Sequence, residues 1–334
     1  MKKKSLLLVV GLLVLSLLAG CGGGSTTTDN EEDKTSGVPT VGVIQYAPHP
    51  SLDNCYKGFL EGLAEGGFDK DAVQIDFQNA QGDAANSDMM AKNMVSNNVD
   101  MIVGIATPAA MSAYSASKGQ DIPVVFTAVS DPLAAGIVQD MAKSGTNAVG
   151  SADVLPLEQQ MKMIRAFLPE GKKIGILYTT SEPNSVSHLE KFKELAPTYD
   201  FEIVEVGVTN ASEVASGAEA LVAKEVDCIN NFTDNNVVNN LSSVLQAAEK
   251  AKIPVFGSEI EQVKNGCMAS ESIDYLALGR ETGRMAAKIL KGEAKPQDLA
   301  VFEVEESTPV YNEEVMKKLG IALPEALKDA QVVK

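Results

Sequence analysis

The second half of this chain replays the first. Val41-Gly42-Val43-Ile44 returns 133 positions later as Ile174-Gly175-Ile176-Leu177. A break containing proline follows in both copies, at Pro48 and Pro50 in one and at Pro183 in the other, and then residues able to cap a helix, Ser51 or Asp53 in the first copy. Val99-Asp100 and Val226-Asp227 each open an apolar run, 127 positions apart, and Ile122-Pro123-Val124 matches Ile253-Pro254-Val255 at 131. Apolar runs near Val73 and Ile203 pair off as well. Such nearly constant offsets mark a duplicated unit. Within each unit, short Val- and Ile-rich runs suit strands buried on both faces of a parallel sheet. They alternate with helical patterns such as 84–97, where Met90, Met94 and Val95 fall at core spacing. The predicted class is α/β, as two similar doubly wound parallel-sheet lobes of βαβαβ design.

Open α/β sheets bind ligands at the carboxyl ends of their strands, where free helix N–H groups point at the cleft. In the stretch 99–132, the run Met101 to Ile105 gives way to Ala106-Thr107-Pro108-Ala109. Thr107 is placed to be the N-cap and Pro108 the first helical residue, since proline's fixed φ suits that position. The run Ile122 to Phe126 leads likewise to Thr127 and to Asp131-Pro132, with Asp131 as cap and Pro132 opening a helix. One such turn is also what any well-capped helix looks like; recurrence in both halves is what points to a site. Facing loops would carry Tyr46, Asp53, Thr107, Thr127, Asp131, Tyr178, Asn184, Asp234, Asn235 and Glu259. Polar caps, aromatics and carboxylates suit a small zwitterion. Thr107 and helix N–H groups would take a carboxylate, Asp131, Asp234 or Glu259 an ammonium, and an aromatic the side chain.

Residues 1–20 read as a secretory signal: three lysines, an apolar run from Leu6 to Leu18, then small residues. The run is shorter than the ~18 residues of a spanning helix. Residues 21–38 begin at Cys21 and contain GGGSTTTDNEEDKTSG, which has no apolar residue and reads as a flexible tether. Removing 1–20 takes three lysines and no acid, leaving 25 Lys+Arg against 45 Asp+Glu, a formal charge of −20. Such a chain repels nucleic acid and anionic lipid and does not steer an acidic substrate. The remainder is long enough for two domains. Lobe 1 is expected over 39–152 with part of 270–300 returning to it, and lobe 2 over 153–269 with part of 300–334. A chain that revisits both lobes late fits a hinge of several crossovers.

Catalytic signatures are missing. His49 and His188 are the only histidines, and no G-x-S-x-G, P-loop or strand-borne G-x-G-x-x-G occurs. His188 is expected on the solvent face of a helix; His49 lies in a cleft loop, either touching ligand or shaping the loop. Besides Cys21 there remain Cys55, Cys228 and Cys267. An odd count without C-x-x-C spacing speaks against a disulfide framework or zinc and for buried thiols. No metal, no cofactor and no enzymatic activity are expected.

The segments IQYAPHPSLDNCYKGFLEGL, FQNAQGD, ATPAAM, IPVVFTAVSDPLAAGIV, IGILYTTSEPNS and IPVFGSE resemble the ABC-transporter substrate-binding proteins of the tryptophan/tyrosine uptake (TrpX-like) family. Leu-Ala-Gly-Cys resembles the lipobox of bacterial lipoproteins and implies cleavage before Cys21 and its lipidation. The family resemblance implies a type I periplasmic-binding-protein fold and an extracytoplasmic receptor, anchored to the membrane through Cys21. Its partners would be a permease with its ATPase, and its ligand an aromatic or other apolar amino acid enclosed by closure of two lobes. By resemblance, Thr107, Pro108 and Ala109 form the helix-N-terminus site, Thr127 and Asp131 the adjacent loop, and Asn184, Asp234 and Glu259 the facing positions. A nucleoside or other cyclic small molecule is the alternative ligand. A ligand sensor of the same fold is the alternative function, although a basic DNA-binding segment is replaced here by the lipobox.

Overall fold

The computed structural model describes residues 37–304 and 306–333. The expected signal sequence, Cys21 and nearly all of the expected tether lie outside these residues. Chain order in the first half is β1 (Thr40–Gln45), α1 (Pro50–Glu65), β2 (Gln74–Asn79), α2 (Ala84–Ser96), β3 (Met101–Ile105), α3 (Thr107–Ser117), β4 (Val124–Thr127) and β5 (Ala148–Ala152). The second half runs α4 (Leu157–Phe167), β6 (Lys173–Thr179), α5 (Pro183–Leu195), β7 (Glu202–Val208), α6 (Val214–Val222), β8 (Cys228–Asn230), α7 (Asn235–Asn239), α8 (Leu241–Ala251), β9 (Val255–Phe256), α9 (Ile260–Lys264) and β10 (Ala269–Ser272). Then come α10 (Tyr275–Leu290), β11 (Phe302–Glu303), β12 (Thr308–Asn312), α11 (Glu313–Leu319) and β13 (Gln331–Val333).

The duplication is visible in the strand order. The first sheet runs β2-β1-β3-β4-β5-β11, all parallel. The second runs β7-β6-β8-β9, also parallel. Backbone bonds from Gly257 to Ala269 (3.0 Å) and from Met268 to Val255 (2.6 Å) tie β9 to β10, which continues into β12 and β13. Val41, Val43, Ile102 and Val103 are fully buried, so β1 and β3 are covered on both faces, as parallel strands flanked by helices must be. One core underlies the first lobe, and two flank the second sheet. The chain passes between the lobes after β5, between β10 and α10, and after β11. α10 thereby leaves β10 and packs on α1 and on β4 and β5 of the first sheet.

Four local expectations are corrected. α1 starts at Pro50 with His49 as N-cap, not at a later Ser51 or Asp53 cap, because proline fits the first helical position. Thr107 is the first residue of α3 rather than its cap; Ala106 takes that place with φ 78, and Pro108 follows in the first turn. No helix follows Asp131-Pro132. Asp131 accepts a bond from Ala134 N–H at 3.0 Å, and Gly136, with φ 67, ends a single turn. His188 is buried, not solvent-facing, with its ring tilted on Phe232 at a centroid distance of 5.5 Å. It shares the inner face of α5 with Ser185 and Phe192, three and four residues away.

Candidate functional site

In a sheet ordered 2-1-3-4-5, the crevice opens between the first and third strands, where successive connections leave in opposite directions. Both lobes have that switch point, and a cavity lies where the two meet. From the first lobe come His49, Ser51 and Leu52 after β1, and Ala106 and Thr107 after β3. From the second come Asn184 after β6, and Thr233, Asn235 and Val238 after β8. Ala128 and Ser130 after β4, Asp153 after β5, and Glu259 and Gln262 after β9 widen the wall, and Tyr275 enters with the returning α10.

Ser51, Thr107 and Asn184 are only 2%, 2% and 3% exposed, yet Ser51 Oγ, Thr107 Oγ1 and Asn184 Oδ1 have no hydrogen-bond partner; nor does Thr233 Oγ1. A buried polar atom without a partner costs about 1–3 kcal/mol. Four of them on one small cavity are the mark of a site that another molecule completes. Ala106 and Ala128, which line the same wall, hold positive φ values of 78 and 55, strained for residues other than glycine. That reversal after β3 presents the first turn of α3, with its unpaired N–H groups, to the cavity.

The carboxylates divide into free and committed. Asp153 is 2% exposed and accepts from Ser130 Oγ at 2.9 Å and Tyr275 OH at 2.8 Å. Burial pushes its carboxyl up to about 6 against those two hydrogen bonds. Glu259 is pushed up to about 7 by burial, but it caps α9, accepting from Gln262 N–H (2.8 Å) and Glu261 N–H (2.6 Å). Burial lowers His49 to about 4, so it is neutral at pH 7. Glu182, just outside the wall, binds Asn235 N–H (3.0 Å) and Asn235 Nδ2 (2.7 Å); burial and the nearby Asp234 push it up.

Of the residues singled out in the sequence, His49, Thr107, Asn184, Asn235 and Glu259 line the cavity, and the others do not. Asp234 is consumed inside its own lobe, as described in the Discussion. Tyr46 is buried and donates its hydroxyl to Gly82 O at 2.9 Å; burial pushes it up to about 12. Asp53 accepts from Gln45 Nε2 at 2.8 Å. Pro108 and Ala109 sit in the first turn of α3, Thr127 is buried at the end of β4, and Tyr178 packs against a core of the second lobe. Ser51, Ser130, Asp153, Thr233, Gln262 and Tyr275 were missed. The strand-end rule, applied after β5 as after β3 and β4, would have found Asp153.

Comparison with known proteins now bears on this geometry. Residues 40–334 match the model of the ABC transporter substrate binding protein family. The chain belongs to that family. A tyrosine-binding protein of Clostridioides difficile is 37% identical over 282 residues, 84% of this chain and 81% of the relative. A domain from Streptococcus pneumonia, solved in complex with L-Trp, is 39% identical with TM-score 0.85, over 89% of this chain and all of that one. The ligand-free, open structure of a substrate-binding protein from Clostridium difficile is 38% identical, covering 89% and 99%, but its TM-score is 0.67. Since the identities are nearly equal, sequence divergence does not explain that gap. This substrate-binding protein superposes more closely on the complex with L-Trp than on the open, ligand-free structure. The fold is the type I periplasmic-binding-protein fold, and proteins of this family work outside the cytoplasm.

Asp131 bridges the two lobes. Its Oδ2 accepts from Ser187 Oγ (2.7 Å) and Lys191 Nζ (2.8 Å), both on α5 of the opposite lobe. Burial would push its carboxyl up, but bonds from Lys191, Ala134 and Ser187 hold it down. Lys191 is half exposed, so solvent screens the pair. Asp131→Ala should speed ligand dissociation a few-fold, up to about tenfold, and leave association little changed, as interface changes usually do. Added salt should shrink the difference. Stopped-flow dissociation rates test this; equal rates in both proteins would show that the bridge does not hold the lobes together.

Proposed function

We propose that this protein is the receptor of an ABC importer, held to the membrane by a lipid on Cys21, and that it captures an aromatic amino acid by closing two lobes around it. The observation that carries the reading is the cleft between two switch points, lined by buried polar atoms that lack partners. The relatives support the choice of ligand: one is named for tyrosine and another was solved with L-Trp. Hinge closure then acts as the switch that presents loaded receptor to a permease.

A thermal-shift screen of free amino acids and nucleosides tests the ligand. At a hundredfold excess over Kd, binding to the native state alone adds ~2.7 kcal/mol. Tryptophan, tyrosine or phenylalanine should raise the melting temperature. A rise with a nucleoside and none with an amino acid would replace this ligand class by the alternative. Cys21→Ser should release the protein from the membrane fraction; retention there would rule out the lipid anchor.

A further inference from the structure

We propose that Asp153 receives the ligand's ammonium group, and that Ser130 and Tyr275 are the residues that orient it. This deepens the amino-acid reading above and rests on it. The ionisable residues on the cavity wall are His49, Asp153, Glu259 and Tyr275, with no lysine or arginine among them. A desolvated carboxylate without a cation is costly, so the positive charge has to arrive with the ligand. Two carboxylates are available, and their surroundings separate them. Each oxygen of Glu259 is already bound to a backbone N–H at the start of α9, at 2.8 and 2.6 Å. Asp153 begins the crossover between lobes, and its side-chain donors are two hydroxyls, Ser130 Oγ at 2.9 Å and Tyr275 OH at 2.8 Å, one on each oxygen. Both donors also lie on the wall. They fix the carboxylate from two sides and leave each oxygen with acceptor capacity toward the cavity.

The other end of a zwitterion also has a match. Thr107 brings an unpartnered hydroxyl at the first turn of α3, whose free N–H groups favour a carboxylate. Because Tyr275 belongs to α10, which returns to the first lobe after the second is built, Asp153 is oriented from a segment 122 positions away.

Isothermal titration of the full chain with L-tryptophan, L-tyrosine and the des-amino analogue of tryptophan, 3-(indol-3-yl)propionate, separates the possibilities. Asp153→Asn should weaken the amino acids at least about a hundredfold, since the ammonium is left buried and unpaired. The same variant should bind indolepropionate as well as or better than wild type. Tyr275→Phe, which keeps the ring and the charge, should cost the amino acids about tenfold and leave indolepropionate nearly unchanged. Unliganded melting curves check that both variants fold; if Asp153→Asn does not, Tyr275→Phe decides alone. Equal losses for both ligand types, or no loss, would make Asp153 structural and overturn the proposal. Wild type that binds none of the twenty amino acids would overturn the amino-acid reading itself, and this assignment with it.

Discussion

Gly62→Ala is expected to destabilise the protein by about 3 kcal/mol, although alanine is the better helix former by up to ~1 kcal/mol. α1 and α10 touch backbone to backbone. A Cβ on Gly58 or Gly62 would run into the carbonyl oxygens of Leu276 and Arg280, and one on Gly279 or Gly283 into those of Cys55 and Phe59. None of these obstacles is the end of a flexible side chain, so the helices must part. Parting them lifts α10 off the first-lobe core around Phe59, Leu63 and Leu278, and it disturbs the ion pairs Arg280–Glu61 (2.6 Å) and Arg284–Glu65 (2.7 Å). Urea denaturation of the variant beside Lys57→Ala, an exposed change on the same helix, gives the comparison. Alanine at 62 as stable as wild type would mean that the two helices have room to spare.

The second large effect is expected at Asp234. Its Oδ2 accepts from Thr179 N–H (2.6 Å) and Ser185 Oγ (2.6 Å), and its Oδ1 from Thr179 Oγ1 (2.8 Å) and Val237 N–H (3.0 Å). The group is fully buried and pins β6, α5 and the start of α7 together. Asp234→Ala strands four donors and should cost ~3–5 kcal/mol. Asp234→Asn keeps one acceptor and a helix cap but turns an amide N–H₂ toward donors, and should cost about half as much. Tryptophan and its des-amino analogue should lose affinity equally, because the damage is to the lobe and not to a charge partner. A stable Asp234→Asn protein that lost tryptophan alone would return Asp234 to the ligand.

That outcome contrasts with the role the sequence suggested, and the reason is physical. Duplicated strands were legible because burial on both faces writes itself as contiguous Val and Ile, and a repeated offset fixes which strands correspond. Loops at the strand ends were legible as a region. Which carboxylate stays free was not. Asp234 and Asp131 do cap local turns, but their other donors come from segments 49 to 60 positions away, at Thr179, Ser185, Ser187 and Lys191. Asp153 looked unremarkable because its partner Tyr275 arrives with a late crossover. His188 could have been read better, since its spacing from Ser185 and Phe192 already places it on their face. Thr107 as cap failed by one residue, because Ala106 takes up the backbone reversal.

The return of α10 to α1 also governs the order in which the protein can be assembled. α1 ends at Glu65 and its cover begins at Tyr275, 210 positions later, while β11, which joins the first sheet beside β5, comes later still. A chain emerging amino end first therefore exposes the glycine face of α1, with Phe59 and Leu63, until nearly all of it has been made. Neither lobe can finish early. For a polypeptide that has to be threaded through a membrane before it works, this late clasp is a built-in delay on folding. It also means that no single cut in the chain yields two intact halves.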